Sequence, residues 1–204
     1  MLGMSKGAET RQQIVSTALD RAAVVGLEGL TLGALAGELR LSKSGLYAHF
    51  RSKEALQLAV LGEAIRRFSE LVLQPALEAP RGEPRVLVLI ERWLEWFRSE
   101  IGGVGCVFLS LAAEFDDRPG AVRDAVVASQ KAWVDFLAGA AERAVAEGHF
   151  RPDLDPRQFA FEFSAISMSL QFASKLFRDP AALERARSAF DALIERSRRE
   201  PASH

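Results

Sequence analysis

The sequence predicts an all-α protein of about nine helices, with a three-helix N-terminal unit over residues 1–55 and a larger helical unit over 56–204. Three observations carry that prediction. Apolar residues recur at helical spacing along almost the whole chain, and the breaks between runs are marked by Gly, Pro and Asp-Pro pairs. The stretch Thr31 to Phe50 reads as two short helices joined by a tight turn, followed at once by Ser52-Lys53-Glu54. At 204 residues and 49% hydrophobic content the chain can bury a core without staples, and its single cysteine, Cys106, permits no internal disulfide.

The first helix is expected from about Ala8 to Gly26, with Ile14, Ala18, Leu19, Ala22 and Val25 on its inner face. Thr31 is suited to cap a second helix, whose Leu32, Leu35, Ala36 and Leu39 fall at i, i+3, i+4 and i+7. Leu41 tucks into the turn, and Ser42 caps a third helix with Leu46 and Phe50 pointing inward. That arrangement leaves Lys43, Ser44, Gly45, Tyr47 and His49 spread over the outer surface, groups suited to touching DNA. A long helix from about Ser52 to Leu77 carries Leu56, Val60, Phe68 and Val72 inward and should end near Pro75 and Ala79-Pro80-Arg81-Gly82. Next come a helix from Pro84 to about Ile101, broken by Gly102, Gly103 and Gly105, and a short one from about Cys106 to Phe115. A helix from Pro119 to Glu147 closes at Gly148. Asp155-Pro156-Arg157-Gln158 then supplies a cap, a proline at the first helical position and a glutamine able to close a capping box, opening a helix to Phe177. Asp179-Pro180 precedes the last helix, which runs to a polar tail from Arg196.

Residues Ser42 to Leu56, with Leu46-Tyr47-Ala48-His49-Phe50 followed by Lys53-Glu54-Ala55-Leu56, resemble the signature of the tetracycline-repressor (TetR) family. The sequence departs from the commonest form at two points: Arg40 stands where a glycine often closes the first helix of the motif, and Ala48 replaces a larger residue. The resemblance implies a helix-turn-helix DNA-binding domain over 1–55 and a ligand-binding and dimerisation domain over 56–204. It implies base readout by Lys43 and Ser44, with Ser42 and Gly45 allowing close approach, and phosphate contacts from Thr31, Tyr47, His49 and Lys53. Up to Ala55 seven basic residues face five acidic ones, a net of +2 against −3 beyond, so the charge leans the right way within an overall −1.

In the family's arrangement the C-terminal helices surround a cavity. Trp93, Trp96, Phe97, Phe108, Phe115, Trp133, Phe136, Phe163 and Phe172 are therefore the expected ligand-binding residues, and the effector a small apolar or aromatic molecule. The last two helices are the family's usual interface. Phe159, Ile166, Leu170 and Phe177 with Leu183, Ala186, Phe190 and Leu193 are thus expected to pair across a homodimer, which demands a palindromic operator in double-stranded DNA. The small Ala165, Ser167 and Ser169 would permit close helix approach.

Other functional classes leave weaker traces. Histidines occur only at positions 49, 149 and 204, and no nucleophile elbow, phosphate-cradling loop or metal-ligand spacing is present, so no enzyme, cofactor or metal is expected. Glu91, Glu95 and Glu100 alternate with Arg92 and Arg98 as a solvated face would. A redox-sensing regulator acting through Cys106 and a helical interaction protein without a DNA role remain open alternatives. The longest apolar runs are too short to span a bilayer and no export signal opens the chain, so a cytoplasmic location is expected.

Overall fold

A computed structural model describes residues 6–99 and 106–200. In order these form α1 (Lys6–Val25), α2 (Leu32–Glu38), α3 (Lys43–His49), α4 (Lys53–Phe68), a π-helical turn (Ser69–Leu73), α5 (Gln74–Glu78), α6 (Glu83–Arg98), α7 (Val107–Phe115), α8 (Ala121–Ala146), α9 (Pro156–Lys175) and α10 (Ala182–Ser197). Since α4, the π turn and α5 follow one another without a break, the described residues hold nine helical runs and no strand. The expected glycine break at 102–105 lies outside the described residues.

Pro75 does not end the long helix. The Gln74 N–H reaches back five residues to the Ser69 carbonyl, so the helix widens ahead of the proline and continues to Glu78. Arg85 then ties off its carbonyl end, donating to Leu77 O and Ala79 O, each at 3.0 Å. At the Pro-marked start of α9, Asp155 caps the helix by accepting from Arg157 N at 2.8 Å and Gln158 N at 3.3 Å. The capping box is not closed: the Gln158 amide donates forward to Glu162 instead, at 3.0 Å.

Two compact units result, one of residues 6–67, 99 and 106–128 and the other of 68–98 and 129–200. The first unit takes in most of α4, α7 and the start of α8 as well as α1 to α3. Its core buries Ile14, Ala18, Leu19, Leu35, Leu46, Phe50 and Leu56. Val25, expected on the inner face, is 46% exposed, because α1 stops there and Gly26 turns the chain at a φ of +76°. Leu27 and Leu30 enter the core in its place.

A buried charge fastens α4 to α1. Glu63, 6% exposed, accepts from Arg66 at 2.7 and 2.8 Å and from Arg67 at 2.7 Å, while the Arg67 guanidinium donates on to Ser16 Oγ of α1 at 2.8 Å. The Arg66 hydrogen bonds, reinforced by Arg67 and Gln12, hold the Glu63 carboxyl at a pKa of about 2 against an ordinary 4.5, overcoming the opposing effect of burial.

In the second unit α6 turns Val86, Leu89, Ile90, Trp93, Leu94, Trp96 and Phe97 inward, and α9 and α10 pack side by side. Glu91 of α6 pairs with Arg187 of α10, which lowers the Glu91 pKa chiefly through the hydrogen bond.

The depressed pKa of Glu63 means that its stabilisation is complete above pH 4.5 and is lost as the pH falls toward about 2. That gap corresponds to on the order of 3 kcal/mol. Urea unfolding of the wild type should therefore show stability falling across this acidic range. Glu63→Gln should be less stable at neutral pH and show a flatter acid limb; equal acid sensitivity in both proteins would refute the assignment.

Candidate nucleic-acid interface

At seven residues α3 is too short to persist alone, so its ends and inner face must be satisfied by neighbours. Ser42 has extended backbone geometry and its Oγ accepts from Gly45 N at 3.0 Å, while Ser44 Oγ lies 3.1 Å from Ser42 Oγ. Thr31 caps α2 in the same way, accepting from Ala34 N at 3.2 Å. Leu46 and Phe50 go into the core, and the Arg11 guanidinium lies over the Phe50 ring, 4.8 Å from its centre.

This packing turns the expected residues outward. Thr31, Ser42, Lys43, Ser44 and Tyr47 are exposed, Tyr47 by 52%, while Gly45 and His49 are half-buried. Lys53 has a partner that sequence reasoning missed: its Nζ donates to Glu28 O at 2.6 Å and to Glu28 Oε2 at 3.1 Å. The two residues are 25 positions apart, and only the fold of the α1–α2 loop brings them together. Arg40 adopts a φ of +54°, the left-handed conformation in which glycine is at ease.

The expected ligand-binding aromatics divide into separate groups. Trp93, Trp96, Phe97 and Phe163 are buried and Trp133 and Phe136 half-buried in the second unit. Their rings meet edge to face, as in Trp93–Phe163 at 5.9 Å and Trp133–Phe163 at 5.8 Å, or stacked, as in Trp133–Phe136 at 6.2 Å. Phe108 and Phe115 lie on α7 in the first unit. There Phe115 borders a cavity of about 210 Å³ with Glu28, Glu54, Gln57, Arg118 and Arg123, a polar site unlike the apolar one expected. Phe172 is 52% exposed on the outer side of α9, edge-on to Phe177, and does not join the core cluster.

The expected dimer residues differ in exposure within the single chain. Phe159, Leu170, Ala186, Phe190 and Leu193 are at most 6% exposed within the single chain, so they face its own core. Ile166 and Leu183 are half-buried, and Phe177 is 66% exposed. The open apolar face of α9 and its end is instead formed by Phe161, Met168, Phe172, Leu176 and Phe177. Cys106 is 3% exposed, which shields its thiol from reagents in solution. Among the described residues no His, Cys, Asp and Glu group could hold a metal, and no helix is long and apolar enough to cross a membrane.

A capped, outward-facing helix on a three-helix core, joined to a second all-helical unit, defines a helix-turn-helix DNA-binding protein. Residues 14–60 match the family model described as bacterial regulatory proteins, tetR family, and residues 82–190 match that of the tetracyclin repressor-like C-terminal domain. The chain belongs to the tetracycline-repressor family of ligand-responsive, DNA-binding transcription regulators. No curated protein matches the sequence. Among solved structures, it is similar to a TetR regulator from Chloroflexus aurantiacus at 24% identity and a TM-score of 0.86, covering 96% of this chain and 99% of that one. A regulator from Saccharomonospora viridis in complex with choline is 23% identical, with a TM-score of 0.78 over 92% of this chain and 96% of the other. AibR, in complex with isovaleryl coenzyme A and operator DNA, is 25% identical, with a TM-score of 0.69 over 90% and 95%.

The left-handed backbone at Arg40 costs about 1 kcal/mol for a residue with a Cβ. Arg40→Gly should relieve most of it and raise the melting temperature by a few degrees; an unchanged or lower value would show that the turn is not strained there.

Proposed function

We propose that this protein is a homodimeric repressor that binds a palindromic operator through α3 and is released by a small apolar or aromatic effector. The observation that carries the DNA part is the row Lys43, Ser44 and Tyr47, exposed on a helix whose opposite face is locked by Leu46 and Phe50. Lys43 and Ser44 stand in its first turn, where side chains read base edges in the major groove. Tyr47, His49, Lys53 and the Thr31 cap would hold the duplex backbone and set the register.

The exposed face of α9 supports the dimer. Phe161, Ala165, Met168, Phe172 and Leu176 follow one another every three or four residues, making one continuous stripe. A stripe of this size left in water is costly, and the exposed Ala165 and Ser169 would let a two-fold copy approach closely. In this reading α9 forms the centre of the interface and α10 the flank, because the apolar residues of α10 are used inside. The aromatic cluster of the second unit supports an apolar effector, which would slot between rings already in contact. AibR's complex with both a coenzyme A thioester and operator DNA supports pairing these two kinds of ligand in one chain of this fold.

Two α3 helices of a dimer reach successive major-groove faces about 34 to 36 Å apart, or a multiple of this. An effector that favours a different separation would lower operator affinity by population shift, to the extent that it binds the two states differently.

Selection from randomised duplex DNA, using protein unfolded and refolded to strip any bound ligand, should recover a palindrome. A Tyr47→Ala, Lys53→Ala double variant should recover none. Sedimentation should give a dimer for the wild type and a monomer for Met168→Glu with Phe172→Glu. A wild type that enriches no sequence, or one that enriches a site without two-fold symmetry as a monomer, would overturn the proposal.

A further inference from the structure

The loop between α1 and α2 is held from two sides within the first unit. Glu114 of α7 accepts from two consecutive backbone N–H groups, Leu27 N at 2.9 Å and Glu28 N at 2.8 Å. The Glu28 side chain, so placed, becomes the meeting point of three donors. Lys53 Nζ lies 3.1 Å from its Oε2, Gln57 Nε2 lies 2.9 Å from its Oε1, and Arg118 approaches Oε2 at 3.6 Å from the α7–α8 turn. Gln57, 4% exposed, also donates to Leu27 O at 3.0 Å. Hydrogen bonds from Gln57 and then Lys53 lower the Glu28 pKa, so the carboxylate is charged at neutral pH.

Lys53 is the residue expected to meet phosphate at the start of α4, yet its ammonium already rests on the Glu28 carbonyl at 2.6 Å and on the carboxylate. A phosphate arriving there would meet an ammonium whose charge the Glu28 carboxylate already offsets, so its attraction to Lys53 is weakened while the pair holds. We propose that Glu28 withholds Lys53 from the DNA backbone, so that binding requires Lys53 to exchange its carboxylate for a phosphate. In this scheme Glu114 and Arg118 are positioning residues, because they fix the loop and the carboxylate that hold Lys53. The inference rests on the reading of Lys53 as a phosphate contact made above. Both side chains of the pair are 40% exposed, so the pair is weak enough for a phosphate to displace. Part of the chain beyond α4 would in this way set DNA affinity without touching DNA.

The test is anisotropy titration of a labelled duplex of random sequence at low salt, comparing wild type, Glu28→Gln, Glu28→Asp and Glu54→Gln, each with Lys53 intact and as Lys53→Ala. Glu54→Gln removes a neighbouring charge without touching the pair, and Glu28→Asp shortens the carboxylate while keeping its charge. Glu28→Gln should bind about two- to fivefold tighter than Glu54→Gln, and this advantage should vanish in the Lys53→Ala background. Glu28→Asp should also bind tighter than wild type, and it carries the test should Glu28→Gln melt early. Weaker binding by both Glu28 variants would overturn the proposal and show that Glu28 orients Lys53 for DNA. An advantage that persists without Lys53 would also overturn it, as a general charge effect. If Lys53→Ala alone leaves affinity unchanged, the phosphate role itself fails; if it weakens binding while Glu28→Gln and Glu28→Asp gain nothing, only the withholding fails.

Discussion

Burial of Leu46 and Phe50 is the constraint on which the outward face of α3 depends. Both α2 and α3 are seven residues long, too short to repay the entropy of helix nucleation from their own hydrogen bonds. Their order comes from outside: from the apolar face they place in the core and from the hydroxyl caps Thr31 and Ser42 that satisfy their first N–H groups. The α1 helix supplies much of that core through Ile14, Ala18 and Leu19, and is in turn fastened to α4 through Arg67 and Ser16. A side chain such as Lys43 therefore has a fixed starting position although its own helix makes barely two turns.

Charge in this unit follows a related logic. A net charge of −1 would work against DNA binding if the acids were free. Glu63 is instead held by Arg66 and Arg67, Glu38 by Arg21 at 2.5 Å, and Glu28 by Lys53 and Gln57. Among the described residues Lys43 and Arg51 have no such partner and remain available at the motif. Local compensation, more than overall composition, decides which field the duplex meets. The Glu63 and Glu28 clusters nevertheless differ in kind: the first is buried and ties helices together, whereas the second is half-exposed and can reorganise.

How much was legible in the sequence follows from the range of each interaction. Caps, turns and short-range periodicity act over three or four residues, so Thr31, Ser42, Asp155 and the inward Leu35, Leu46 and Phe50 could be read directly. Arg40 could be suspected only through the family resemblance, in which a glycine often stands there, and its φ of +54° fits that expectation. The Glu28–Lys53 pair and the Glu114 clamp could not, since they join residues 25 and 86 or more positions apart. Pro75 was readable as a disturbance but not as a π turn, because the sequence does not say whether a helix will stop or widen to accommodate a missing N–H.

The hardest reading was α9, and the reason is geometric. Phe159, Phe163 and Leu170 occupy one side of this helix, while Phe161, Met168 and Phe172 occupy another, and both sets have helical spacing. A helix with apolar residues on more than one side, interleaved with Ser, Gln and Glu, offers no single polar face to mark the outside, so periodicity cannot separate the core side from the open side. Burial separates them: Phe163 is fully enclosed against Trp93, Trp133 and Phe190, and Phe161 is 67% exposed. The inner rings fill the interior of the chain, and the outer stripe lies exposed on the same helix. Because they share one rigid helix, a molecule that wedges between the inner rings must move α9 or its neighbours, and any movement of α9 carries the outer stripe with it.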